Sequence, residues 1–191
     1  MKKLALAVAI VSLGAVALIA TAIAKNGNGG GRSFSAQLTG YEEVPAISTR
    51  ARGTFRARLK SATELEYRLT YRDLEGALTP GTGASGQAHI HLGQFSVNGG
   101  VSAFLCGGGD KPACPTTNPG TVEGVIDPTD VIGPAGQGIA AGEFAELIRA
   151  MRNGVTYANL HTTTWPGGEI RGQIDHGRHH GRGKGNGRND D

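Results

Sequence analysis

The chain has 191 residues, with 19 lysines and arginines against 16 aspartates and glutamates, 32 glycines and only two cysteines. Residues 25–174 balance 13 basic against 13 acidic side chains, so nothing there suggests nucleic-acid binding, which needs a concentrated basic face. The many glycine-containing turn dipeptides favour short strands over long helices.

Lys2 and Lys3, the apolar run 4–19 and the small residues Ala22 and Ala24 make an export signal of residues 1–24. The run is short for a membrane span and ends at a cleavage site. A mature chain starting at Lys25 is therefore expected, secreted or periplasmic, with no transmembrane segment and a net charge near +1. Residues 25–33, rich in glycine and asparagine, read as a flexible leader.

Phe34 to Leu38 alternates apolar and polar and predicts a first strand; Pro45 then belongs to a turn, because it cannot donate to a sheet. Gly53 to Leu59 predicts a strand with Phe55, Ala57 and Leu59 inward and Arg56 and Arg58 outward. The clearest strand is Glu64 to Asp73, with Leu65, Tyr67, Leu69 and Tyr71 on one face and Glu66, Arg68, Thr70 and Arg72 on the other. The arginines read most simply as a solvated face.

Leu78 to Gln87 reads as a loop. Its Gly81, Gly83 and Gly86 match a dinucleotide fingerprint by letter only, because a strand and not a helix follows. Gln87 to Leu92 and Phe95 to Leu105 predict strands, the latter interrupted near Asn98-Gly99-Gly100. In an exported chain Cys106 and Cys114 should pair into a disulfide closing a short loop, a reduced metal-binding pair being the alternative. Thr121 to Ile126 is another short strand. Asp127-Pro-Thr-Asp130 starts a helical turn, and 132–141 is loop. Glu143 to Arg152 is the one helix: Phe144, Leu147, Ile148 and Met151 fall at helical spacing, to face the protein's own core, and Asn153-Gly154 stops it.

Tyr157 to Gln173 reads as two strands joined by a tight turn at Pro166-Gly-Gly168. Side-chain alternation sets Asn159 and His161 on one face, Glu169 and Arg171 opposite Ile170, and, upstream, His89 and His91 opposite Ile90. If the apolar residues enter the core, these polar ones point out. Residues 175–191 have no apolar side chain and read as a disordered tail; His176, His179 and His180 could bind metal loosely or remain solvated.

Leu38-Thr-Gly-Tyr-Glu-Glu-Val-Pro45, Ala88-His-Ile-His-Leu-Gly93, Tyr157-Ala-Asn-Leu-His-Thr162 and Pro166-Gly-Gly-Glu-Ile-Arg-Gly172 occur in that order. Together they resemble the chordin-type (CHRD) domain, over residues 34–174. The family takes its name from an extracellular inhibitor of bone morphogenetic proteins and is common in exported microbial proteins. The resemblance implies an all-β, immunoglobulin-like or superoxide-dismutase-like antiparallel β-sandwich, in keeping with the strand pattern and its one short helix. It implies no settled activity.

An His-x-His pair puts two imidazoles on one side of a strand, and neutral imidazole is a good ligand for zinc or copper. His89, His91 and His161 are thus the candidate metal ligands, with Asn159, Glu169 and Arg171 as supporting groups that would orient them. The competing reading is a hydrogen-bonded polar face tying sheet to loop. No catalytic residues are assigned: the acid pairs Glu42–Glu43 and Asp127–Asp130 read as turn and cap residues, and a second His/Asp cluster for a bridged metal pair is missing. Three functions follow as expectations. The first is a secreted binding module whose partner is an extracytoplasmic protein or surface ligand. The second is a mononuclear copper or zinc protein with redox or carrier activity. The third is a structural, envelope-associated protein.

Overall fold

The computed structural model describes residues 31–79 and 87–176. The expected export signal, the glycines 81, 83 and 86 and the tail from residue 177 lie outside the described residues. Period-two alternation lays down the first three strands, β1 (Ser33–Thr39), β2 (Arg52–Leu59) and β3 (Leu65–Arg72). Their inward side chains Phe34, Leu38, Phe55, Leu65, Leu69 and Tyr71 are all buried. Each contributes roughly 1.5–3 kcal/mol. A slip of one residue would turn the whole set outward, so the register is strongly fixed.

β4 (Ala88–Leu92), β5 (Gly100–Cys106), β6 (Gly120–Ile126), β7 (Thr156–Leu160), β8 (Ile170–Gln173) and β9 (Asp175–His176) complete the sheet. Its order is β5-β4-β7-β8-β1-β2-β3-β6, with β9 against β1, and every pairing is antiparallel. The sheet folds over one core, so that β3, next to the β6 edge, meets β5 at the other end: the Tyr67 hydroxyl donates to the Leu105 carbonyl at 2.5 Å. The all-β sandwich with one short helix is therefore observed. Among the described residues no helix is long and apolar enough to cross a membrane.

The single helix, α1 (Phe144–Arg152), buries Phe144, Leu147, Ile148 and Met151 in that core, as its spacing predicts. Gly154, at φ +67°, ends it in the left-handed region that favours glycine. Asp127 and Asp130 form a reciprocal capping box on a 3₁₀ turn, Pro128–Asp130. Two expected elements differ. Phe95 to Val97 is exposed loop and not strand: Ser96 sits at φ +59°, and β5 begins only at Gly100. The link from β7 to β8 is longer than the tight turn alone: Gly168 N–H donates to the Trp165 carbonyl at 3.1 Å and closes the turn at Pro166, but β7 ends at Leu160 and Thr162 bridges to Leu78. At the far end, the sheet continues through Asp175–His176.

Cys106 and Cys114 are joined and nearly solvent-free, across a separation of eight residues. The closed loop is docked by Cys114 N–H donating to Gln87 Oε1 at 2.6 Å and by Lys111 against Asp130. Replacing both cysteines by alanine should lower stability by about 2–3 kcal/mol, the chain-entropy value for so short a loop. Urea unfolding checks this. A shift below about 0.5 kcal/mol would mean that the docking contacts and not the bridge hold the loop.

Candidate metal centre

β4 and β7 are hydrogen-bonded neighbours, with His89 opposite Asn159 and His91 opposite Tyr157. His161 follows β7 directly, and its N–H donates to the Gln87 carbonyl at 3.0 Å, which holds it beside β4. The three imidazoles converge: one ligand nitrogen from each of His89, His91 and His161 lies within 4.8 Å of the others. The ring centroids of His89 and His161 are 4.7 Å apart and those of His89 and His91 5.1 Å. In a tetrahedral site with metal–nitrogen bonds near 2.0–2.1 Å, ligand nitrogens lie about 3.3 Å apart. Small side-chain rotations would close this cluster onto an ion.

Backbone carbonyls set the protonation of two rings. His91 Nδ1 is 3.0 Å from the Gly99 carbonyl, and His161 Nδ1 is 3.0 Å from the Pro166 carbonyl. A carbonyl only accepts, so each Nδ1 carries the proton and each Nε2 presents a lone pair. The His161 Nε2 is buried and has no hydrogen-bond partner. That is an uncompensated polar atom. The His91 Nε2 faces His89 Nδ1 at 3.1 Å, so His89 Nδ1–H is the donor there. Burial lowers the His91 pKa to about 4, against the Gly99 bond that raises it. Burial also lowers that of His161, partly offset by the Pro166 bond. Both are neutral at pH 7, the state in which imidazole binds metal.

The polar side chains expected to point out lie on the face opposite the apolar set, yet they are buried, His91 at 8% exposure and Arg171 at 1%. Two segments roof them, one carrying Gly40 to Val44 and one carrying Gln94 to Gly99. Arg171 holds the second: Nη2 donates to the Gln94 and Val97 carbonyls at 3.2 and 2.8 Å, and Nη1 to Asn98 Oδ1 at 3.2 Å. Its guanidinium carbon sits 3.4 Å from the Tyr157 ring centroid, and that ring stacks on His91 at 4.6 Å with an interplanar angle of 2°. Arg171 thus supports His91 through Tyr157. Asn159 makes no hydrogen bond to either carbonyl-bonded imidazole; it donates to Glu43 Oε1 at 2.7 Å and to the Ile170 carbonyl at 3.0 Å. Glu169 is fully buried in a separate knot, accepting from Thr49 Oγ1, Thr162 Oγ1 and Glu75 N–H.

Glu43 is the site residue that the sequence did not single out. It is buried, and desolvation raises its pKa to about 7, against the lowering effects of the Asn159 bond and the Arg171 charge. Gly168 makes room for it: at φ +128°, a Cβ there would lie 2.6 Å from Glu43 Oε1.

The sign of its pH effect follows. A carboxyl with a raised folded pKa stabilises the fold fully below about 4.5, and that contribution is lost as pH rises through about 7. His91 acts oppositely: its contribution is present above about 6.5 and is lost as pH falls through about 4. Glu43→Gln keeps the acceptor for Asn159 and removes the ionisation. Relative to the native protein it should gain about 2–3 kcal/mol between pH 4.5 and 8. Urea titrations at both ends, in chelator, measure it; parallel stability curves would refute the assignment.

The family model described as the CHRD domain matches residues 34–174, which takes in the sheet from β1 to β8 and all three histidines. No curated protein and no solved structure matches the chain.

Proposed function

The chain belongs to the CHRD-domain family, and we propose that it is an exported, non-enzymatic binding module that holds one copper or zinc ion on His89, His91 and His161. The observation that carries this reading is the convergence of three imidazole nitrogens within 4.8 Å, one of them a buried Nε2 with no partner. Three neutral nitrogen donors without a thiolate or carboxylate among them suit copper or zinc rather than calcium or magnesium. Three protein ligands leave a fourth position for water or for a donor from a partner. Carriage or redox buffering of the metal needs fewer assumptions than catalysis. The buried Cys106–Cys114 bridge supports export, since such bonds persist in oxidising compartments.

The test is metal content and affinity of the untagged protein, stripped with chelator and titrated with zinc(II) or, under reductant-controlled anaerobic conditions, copper(I). One equivalent should bind, and the triple variant H89A/H91A/H161A, which keeps the tail histidines, should lose it. Substoichiometric metal that survives the triple substitution would overturn the reading.

A further inference from the structure

We propose that the outer face of β1, β2, β3 and β6 is a binding groove for an acidic polysaccharide, gripped by the guanidinium groups of Arg56 and Arg58, with Arg68 beside them. The proposal is independent of the histidine cluster. That face forms an open groove of about 980 Å³, whose lining includes Ser33, Ser35 and Gln37 beside the three arginines. The β2–β3 register sets Arg56 directly opposite Arg68 and Arg52 directly opposite Arg72. Like charges directly opposite one another across antiparallel strands destabilise a sheet. Two such pairs in one hairpin are a local cost that folding does not need.

Of these four arginines, ion pairs among the described residues reach only Arg68 and Arg72, the latter through Asp73. Glu123 is taken by Arg68, and Glu66, although opposite Arg58 in register, is taken by Lys60 at 2.8 Å. Among the described residues Arg56 and Arg58 have no side-chain hydrogen bond or ion pair, and both are exposed. Two positions apart on one strand, they project on the same side about 6.8 Å from each other. Each guanidinium offers a planar fork that fits a carboxylate or sulfate group with two parallel bonds.

The neighbourhood selects among polyanions. Hydroxyl and amide groups of Ser33, Ser35, Gln37, Thr54 and Thr70 flank the forks in cross-strand rows, and these are partners for sugar hydroxyls. The outward residues of this face include no aromatic side chain on which a base could stack. Glu66 and Glu123, interleaved among the arginines, would repel a densely charged phosphate backbone yet tolerate a chain that carries its charges sparsely. Val125 is the exposed large apolar residue of these strands, too little for a lipid surface.

The test is binding of the full chain to hyaluronate and to sparsely carboxymethylated dextran, with neutral dextran and single-stranded DNA as comparison probes. Binding to the two acidic glycans, weakened at least tenfold by the double substitution R56Q/R58Q and little changed by R149Q on α1, is the expected result. The same double variant should unfold at a slightly higher temperature, because it relieves the Arg56–Arg68 repulsion, and that readout also establishes that it folds. Absence of glycan binding would overturn the proposal. So would equal affinity for DNA, or affinity untouched by R56Q/R58Q, which would place the contact in the basic residues beyond 176.

Discussion

His161→Ala should abolish the proposed stoichiometric metal binding, with affinity falling roughly a hundredfold or more. Loss of a group that merely orients a ligand costs 10–100-fold, and loss of the ligand itself costs more. His161 is the sharpest position at which to ask, because its two nitrogens are unequal. Nδ1 is committed to the Pro166 carbonyl, and Nε2 is buried with no partner. Alanine therefore removes one hydrogen bond and one unsatisfied atom, so the metal-free variant should stay within about 1 kcal/mol of the native protein in urea. The two readouts separate the competing readings of the polar face. A metal ligand gives a large affinity loss at nearly constant stability. A purely structural histidine gives a loss of stability with unchanged metal content, and that outcome would remove His161 from the site.

Arg171→Ala should destabilise the protein by about 3–5 kcal/mol, the range for breaking a buried charge network. The residue is 1% exposed. The substitution leaves the Gln94 and Val97 carbonyls and the Asn98 side chain without their donor, and takes from Glu43 the charge that favours its ionised form. Lysine should not rescue, because one ammonium cannot reproduce the fork or lie flat over Tyr157. Denaturant unfolding of R171A and R171K checks both statements. With the Tyr157 ring released, His91 loses the surface on which it stacks, so metal affinity in R171A should also drop about tenfold. A loss below 1 kcal/mol in R171A would mean that Gln94 to Asn98 is held by something else.

Period-two alternation was enough to read β3 and to set His89 and His91 on one side, because both are statements about a single strand. Convergence with His161 needed β4 and β7 to be neighbours, a long-range pairing that local chemistry could not supply. The roof over the polar face was illegible for a similar reason: it depends on bonds from Arg171 to carbonyls more than 70 positions away. Glu43 looked like a turn residue, since a carboxylate in Tyr41-Glu-Glu-Val-Pro45 is ordinary in a loop. Its burial comes from Asn159 and Gly168, far along the chain. Glu169 alternates correctly with Ile170, yet hydroxyls from Thr49 and Thr162 draw it into its own knot. The apolar letters of Phe95 to Val97 suggested a strand; the positive φ at Ser96 and the bonds to Arg171 make that segment a cover instead.

The short pairing of Asp175–His176 with Ser35 and Phe34 sets where the molecule can be tethered. Both ends of the domain leave from the same edge of β1, whereas Arg171 meets the opposite end of that strand at Thr39, about 17 Å away at the usual rise per residue. A linker attached at either end would hold the protein by one pole and turn the imidazoles toward the surrounding medium. The same adjacency makes joining residue 176 to residue 33 through a few glycines, with new ends opened elsewhere, a feasible permutation of the chain.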